Sequence, residues 1–493
     1  MLIGVDIGTQ SLKAAVTDAA LALKGEGSRS YRPSFPGPGR AEQDPRLWEQ
    51  ALRPTIADAL AKAGITERQV LGLAVCGQLD GCIPVDGRGE LRGPCLTWMD
   101  RRAGAELGDI DKDRLRTVTG IVADASHLAA KIRWLKRHSD AATRAARYHQ
   151  PVSYMVERLT GAAVIDHALA STSMLYDLKA QDYDAALLSA FGVSKAELPC
   201  LAWSGDCAGK LTPTGADLTG LPAGIPVAVG TGDDFSTPLG AGLTEAGEVS
   251  VAIGTGEVVG ALFGEPVIDP DGLVETHAYP AGGYFVENPG WLAGGAVTWL
   301  KDLLGIADYE SFDVIAAQAP AGADGVIFLP ALTGAMAPEW IAGARGCFYG
   351  LTPAHGAPHL ARALLEGCGF AMRDVLTRLA MLGARPASIR LLAGGSQSRL
   401  TAQLRADIAG LPVVPPHHPH SSVVGAAMLA GVAAGMFTDI KQAAAQLAPP
   451  ARRLMPDAAT TAMLDHSYQR YRQLFAAVKS LTSSSCHTHA DHG

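Results

Sequence analysis

The apolar positions of this chain contain two copies of one pattern. Residues 2–18 (LIGVDIGTQSLKAAVTD) read as an apolar strand, a polar Gly-rich turn and a second apolar strand, and residues 249–263 (VSVAIGTGEVVGALF) repeat that order. Both turns carry Ile-Gly-Thr, as Ile7-Gly8-Thr9 and Ile253-Gly254-Thr255. Such a turn gathers small side chains and backbone N–H groups into a concave nest suited to phosphate oxygens. Two copies far apart in the sequence predict two similar domains facing one nucleotide.

Elsewhere the pattern alternates between two periods. Leu47, Leu52, Ile56 and Leu60 recur at helical spacing within 45–63, and Gly64 supplies a stop. Short apolar runs at 70–76, 225–230 and 389–393 predict buried strands. Residues 127–138, 290–304, 357–382 and 399–410 predict helices. Alternation of this kind defines an α/β fold. The Gly-rich segment 238–247 marks a boundary. The expected division is an N-terminal domain over 1–243, a C-terminal domain over 244–445, a helical segment over 446–479 and a disordered Ser- and His-rich tail over 480–493.

Composition narrows the class. The chain has 493 residues, too many for one hydrophobic core. A formal charge of −8 argues against a binder of nucleic-acid backbone, which needs a basic surface. The start Met1-Leu2-Ile3-Gly4-Val5-Asp6 lacks the regions of a signal peptide, and Gly, Pro or charge interrupts each apolar stretch before membrane-spanning length. The cysteines at 76, 82, 95, 200, 207, 347, 368 and 486 form no CxxC pair and read as reduced thiols of a cytoplasmic protein. His417-His418-Pro419-His420 and the tail residues Cys486, His487, His489 and His492 offer metal-ligand types. Prolines break the first group and the second has no scaffold, so no structural zinc is expected.

Candidate chemistry begins at Asp6. A carboxylate ending a strand beside a Gly-Thr turn can hold hydrated Mg²⁺ against a polyphosphate. Lys13 can lie along a transferring phosphoryl group and offset its charge. A β-hairpin whose Asp merely caps the turn fits the same residues.

Six motifs in order favour the first reading. They are Asp6-Ile7-Gly8-Thr9, Lys131-Ile132-Arg133-Trp134-Leu135, Gly230-Thr231-Gly232-Asp233-Asp234, Gly254-Thr255-Gly256, the run Gly346 to Leu351 with His359 to Glu366, and Ala393-Gly394-Gly395-Ser396. In these the chain resembles the FGGY carbohydrate kinases from Ile3 to about Gly435, with the xylulokinases nearest in motif. The resemblance implies two duplicated actin-like, ribonuclease-H-like ATPase domains with an interdomain active-site cleft. It implies ATP and Mg²⁺, with the metal on Asp6. Asp233 stands where the family keeps its catalytic aspartate, placed to accept a proton from the attacking hydroxyl. A paired-Asp surface turn is the competing reading of Asp233 and Asp234.

The same resemblance distributes binding roles. Gly8, Thr9, Gln10, Gly254, Thr255 and Gly256 are expected to meet phosphates, and Gly394, Gly395 and Ser396 the adenosine. The sugar is expected on Gln78, Leu79, Asp80, Trp98, Asp100, Arg102 and Asp234. Amide and charged groups there would bind hydroxyls, and the aromatic face would cover C–H groups. Leu79 and Asp80 depart from the xylulokinase Gly-Gln-Met-His-Gly, and Asp234 replaces a common Asn. Segment 287–291 is expected near the cleft without an assigned role. The implied reaction is conversion of D-xylulose to D-xylulose 5-phosphate. Other substrates in the same class are D-ribulose, a tetritol or sedoheptulose, and the rival from another class is a non-catalytic nucleotide-dependent regulator. Homodimers are common among similar enzymes.

Overall fold

A computed structural model describes residues 1–140, 145–416, 418, 420–450 and 452–484. His417, Pro419 and the tail histidines with Cys486 lie outside the described residues. The two Ile-Gly-Thr turns each join an antiparallel strand pair at the centre of a separate sheet. In the first, β1 (Leu2–Ile7) pairs with β2 (Ser11–Thr17), which places Asp6 opposite Lys13. β3 (Leu23–Ser30) extends that edge, and β4 (Gly72–Gly77) lies parallel to β1 on its other side. β5 (Cys207–Lys210) and β6 (Pro226–Ala228) give the order β5-β6-β4-β1-β2-β3, while β7 (Thr231–Gly232) pairs with the end of β4.

The second sheet repeats the plan. β8 (Val249–Ile253) and β9 (Gly256–Phe263) form the hairpin, and β12 (Ile389–Leu392) runs parallel to β8. With β10 (Glu275–Ala278), β11 (Tyr284–Leu292) and β13 (Val413–Val414) the order is β10-β11-β9-β8-β12-β13. In both sheets the central strand is fully or almost fully buried, as expected where both faces are covered.

Helices cover the faces through close glycine contacts. α1 (Arg46–Ala63) buries Trp48, Leu52, Ile56 and Leu60 against the first sheet. Leu47, expected on that face, points outward, and Trp48 takes the inward position instead. A Cβ on Gly27 would come within 2.2 Å of the Thr55 carbonyl, so only glycine lets β3 approach α1 this closely.

α2 (Leu128–His138), α3 (Asp233–Gly240), α5 (Ala357–Met381) and α6 (Arg399–Ala409) match the helical expectations or begin at expected sites. The expected helix over 290–304 needs correction. Residues 290–292 finish β11, where Trp291 and Leu292 pair with Glu257 and Gly256, and α4 begins only at Gly294 (Gly294–Leu303). Strand pairing there overrides an apolar spacing that a helix would also fit.

One helix ties the halves together. α7 (Ser421–Ala433) follows the second sheet in sequence yet packs on β1, β4 and α3 of the first. It is apolar on all sides and buried over Ser421–Gly431, the composition of a core helix. A Cβ at Gly4 would sit 1.9 Å from the Val423 carbonyl, and one at Gly240 would sit 1.9 Å from that of Ser421. Among the described residues no helix is long and apolar enough to cross a membrane.

Candidate active site

The end of β1 delivers Asp6 to a crowded position. Ser422 at the start of α7 donates a hydrogen bond to Asp6 Oδ2 at 2.7 Å, while Oδ1 is buried without a hydrogen-bond partner. Burial holds the Asp6 carboxyl above its usual range, opposed by Ser422 and by the nearby Lys13 charge. The adjoining turn is fixed from several sides. Gly8 N–H bonds the Ser11 carbonyl at 3.0 Å, and the Tyr31 hydroxyl donates to the Gly8 carbonyl at 2.7 Å. Gln43 donates to the Thr9 carbonyl at 2.6 Å, and Tyr31 N–H bonds the Gln10 carbonyl at 3.0 Å. The Gln10 side chain is exposed.

Asp233 and Asp234 open α3 directly after β7. The N-terminus of a helix favours an anion, but burial works against it. Burial first, then Asp234 and Asp6, push the Asp233 carboxyl well above the ordinary carboxylate range. Asp234 is exposed to the cleft, yet the protein packed around it depletes its solvation. That desolvation, with Asp80 and Asp6 adding repulsion, raises its pKa to about 6. Gly230 (φ +78°) permits the approach, because a Cβ there would meet the Val75 carbonyl at 2.1 Å. A Cβ on Gly232 would meet Leu79 at 2.9 Å, so Leu79 lies against the backbone just before Asp233.

The remaining candidate sugar residues divide. Trp98, 44% exposed, donates its indole N–H to Thr9 Oγ1 at 3.0 Å, which links the aromatic face to the phosphate turn. Gln78 donates to Gln43 at 2.8 Å and keeps its own Oε1 buried and unpartnered. Asp80 sits at φ +57°, and Lys131 donates to its carbonyl at 2.6 Å. Its carboxylate is held by Thr172 Oγ1 at 2.8 Å and by His127 Nδ1 at 3.1 Å. Burial lowers the His127 pKa, but the facing Asp80 outweighs it and raises the net value to about 9.

Asp100 and Arg102 differ from expectation. Asp100 is fully buried and spends its oxygens on Ala41 N–H at 2.8 Å and on Arg102. Arg102 also bonds Glu42 at 2.6 Å and lies 5.0 Å over the Trp134 ring. The pair therefore braces the pocket instead of presenting free charges to it.

The second turn leaves Gly254, Thr255 and Gly256 exposed. Gly295 N–H bonds the Thr255 carbonyl at 2.9 Å, which sets the start of α4 against the turn. Below it, Glu257 and Arg405 form a buried two-pronged pair at 2.9 and 2.6 Å. The Ala393 loop takes a left-handed φ of +61°, with Gly394 open to solvent and Gly395 packed on Ile253. Ser396 is buried and donates to the Ala393 carbonyl at 2.6 Å, so its hydroxyl shapes this loop from within.

Sequence reasoning missed Ser422, Gln43, Tyr31 and His127. Each reaches the site from a segment with no motif of its own.

Two family models match this chain. The N-terminal domain of the FGGY family of carbohydrate kinases matches residues 1–240, and the C-terminal domain of that family matches residues 249–434. The chain belongs to the FGGY family of carbohydrate kinases and is a phosphotransferase built on two actin-like domains. It is 32% identical over 454 residues to a glycerol kinase of Alkalilimnicola ehrlichii, covering 88% of this chain and 90% of the relative. It is 29% identical over 483 residues to a xylulose kinase of Escherichia coli, covering 96% and 98%. Among solved structures it superposes on a xylulose kinase from Rhodospirillum rubrum with a TM-score of 0.89 and 29% identity, over 98% of this chain and 99% of that one.

Proposed function

We propose that this enzyme transfers the γ-phosphoryl group of ATP to D-xylulose, forming D-xylulose 5-phosphate and ADP. The observation that carries the reading is Asp233, a carboxyl of raised proton affinity at the first turn of α3, beside Asp6 and the first phosphate turn. A base of this kind takes the hydroxyl proton as the sugar oxygen bonds the γ-phosphorus and the bond to the departing ADP oxygen breaks. Lys13, opposite Asp6 in the hairpin, offsets charge on the phosphoryl oxygens. Thr9 and Gln10 on one side, with Thr255 and Gly256 on the other, supply turn donors to the polyphosphate, while Gly8 and Gly254 close the two turns with their own N–H groups and leave space for it. Gly394 and Gly395 leave room for adenosine.

The unpartnered, buried Oδ1 of Asp6 fits a carboxylate that completes its contacts with a hydrated cation. Asp6 would hold Mg²⁺, which when bound offsets polyphosphate charge. Trp98, Gln78 and Asp234 line the sugar side, with Leu79 and Asp80 shaping its floor.

Likeness to the xylulose kinases of E. coli and R. rubrum, together with the Gln78 and Trp98 motifs, supports the pentulose. Glycerol is the second reading, favoured by the 32% identity to the A. ehrlichii enzyme. An ADP-release assay with Mg-ATP across three- to seven-carbon polyols and ketoses tests the choice. D-Xylulose is expected to give the highest kcat/KM, and a maximum at glycerol, D-ribulose, a tetritol or sedoheptulose overturns the assignment.

A further inference from the structure

The second domain presses a face of ionisable side chains against the sugar side of the first. β10 and β11 pair with Glu275 opposite Glu287 and His277 opposite Phe285, so Glu275, His277 and Glu287 share one face. His277 Nε2 lies 3.6 Å from Glu287 and 4.0 Å from Glu275. Its ring packs 5.6 Å, centre to centre, from Phe235, the residue after Asp234. Glu275 accepts the Val122 N–H at 2.9 Å, and Ala278 N–H bonds Ser171 Oγ at 3.1 Å. These bonds fix the face beside the place where Asp80 and His127 meet.

Among the fully buried side-chain atoms of this face, His277 Nδ1 and Glu287 Oε2 have no hydrogen-bond partner. Both residues are more than nine-tenths buried, and folded proteins leave few buried polar atoms unpaired. The approach of the two side chains through their other atoms, His277 Nε2 to Glu287 Oε1 at 3.6 Å, also exceeds a hydrogen bond. Burial, with Asp234, Glu275, Asp233 and Asp80 nearby, holds the Glu287 carboxyl well above its ordinary range. Burial likewise pushes His277 down to about 3. A neutral imidazole has one donor and one acceptor, and a Glu carboxyl accepts hydrogen bonds and donates one when it holds its proton, so both complement a hydroxyl, which also donates and accepts.

We infer that Glu287 and His277 form a distal subsite for the sugar hydroxyls farthest from the phosphorylated end. This inference rests on the kinase reading above and deepens it. The enzyme selects neutral ketoses and polyols longer than glycerol, because a three-carbon substrate leaves the distal groups unpaired. It rejects sugar acids, whose carboxylate would meet Asp80, Asp233 and Asp234 at close quarters.

The test compares glycerol, erythrulose, D-xylulose and D-gluconate by kcat/KM, and by calorimetric binding without nucleotide. The proteins are the wild type, Glu287→Gln, Glu287→Leu and His277→Phe. The wild type is expected to favour D-xylulose over glycerol at least about tenfold. Glu287→Leu should lower kcat/KM for D-xylulose about ten- to a hundredfold, chiefly through KM, with glycerol changed by less than about threefold. Glu287→Gln, which has the same shape and offers both a donor and an acceptor, should retain most of the selectivity. His277→Phe carries the same expectation if Glu287→Leu fails to fold.

Equal losses on glycerol and D-xylulose, a wild-type preference for glycerol or for D-gluconate, or no effect of either variant overturns the subsite. Ketose binding that depends on Glu287 without phosphoryl transfer supports the subsite and removes the kinase reading. Ketose phosphorylation untouched by both variants does the reverse.

Discussion

Ser422 donates a hydrogen bond to Asp6 at 2.7 Å across 416 positions of sequence. The contact joins α7 to the end of β1, so the proposed metal carboxylate depends on a helix encoded after the second sheet. It also opposes the effect of burial on Asp6, because a hydrogen bond to the ionised form favours that form.

Ser422→Ala should therefore raise the Asp6 pKa further and leave less carboxylate at a given pH. The Mg²⁺ concentration for half-maximal activity is expected to rise about tenfold at neutral pH, a charge-assisted hydrogen bond being worth about 1.5–3 kcal/mol. The loss should grow as the pH falls, because the Asp6 carboxyl then protonates more readily in the variant than in the wild type. A Mg²⁺ titration at two pH values checks both points.

The acid limb of activity should lie well above an ordinary aspartate. Asp233 must be unprotonated to accept the hydroxyl proton, and its pKa is raised, so kcat/KM falls as pH drops through that raised value. Asp234, at about 6, belongs to the same cluster, and the measured limb reports the group of carboxyls together. Asp234→Asn removes one repulsive charge and should move the limb to lower pH by about one unit. A pH profile of kcat/KM at saturating ATP reads the shift.

The buried Glu257–Arg405 pair under the second phosphate turn predicts an asymmetric stability pattern. Arg405→Met leaves Glu257 buried and unpaired and should cost about 3–5 kcal/mol. The double variant Glu257→Leu with Arg405→Met should recover much of that loss, because desolvation of two charges is then avoided. Denaturant unfolding of the three proteins measures it.

How much of this was legible in the sequence depends on the range of each interaction. The two hairpins are readable because strand, Gly-Thr turn and strand are local, and the place of Asp233 at the start of α3 follows the local run Gly230-Thr231-Gly232. Trp98 was placed on the cleft, but its bond to Thr9 was not visible. Asp100 and Arg102 carried the expected residue types, and their mutual pairing, with Ala41 and Glu42, could be seen only in three dimensions. Ser422, Gln43 and His127 act from segments whose partners lie far away in sequence, so no spacing could reveal them. Gly290-Trp291-Leu292 satisfies helical spacing while its backbone bonds continue a sheet, so spacing alone does not locate the start of α4.

The measurement that bears most directly on the central claim is single-turnover phosphoryl transfer from Mg-ATP to D-xylulose by the wild type and Asp233→Ala, with ATP affinity measured on the same samples. A general-base role for Asp233 predicts a fall of about 10²–10⁴-fold in the transfer rate, the usual contribution of such a base, with ATP binding changed by less than about threefold. Transfer by Asp233→Ala at a rate near that of the wild type would contradict it.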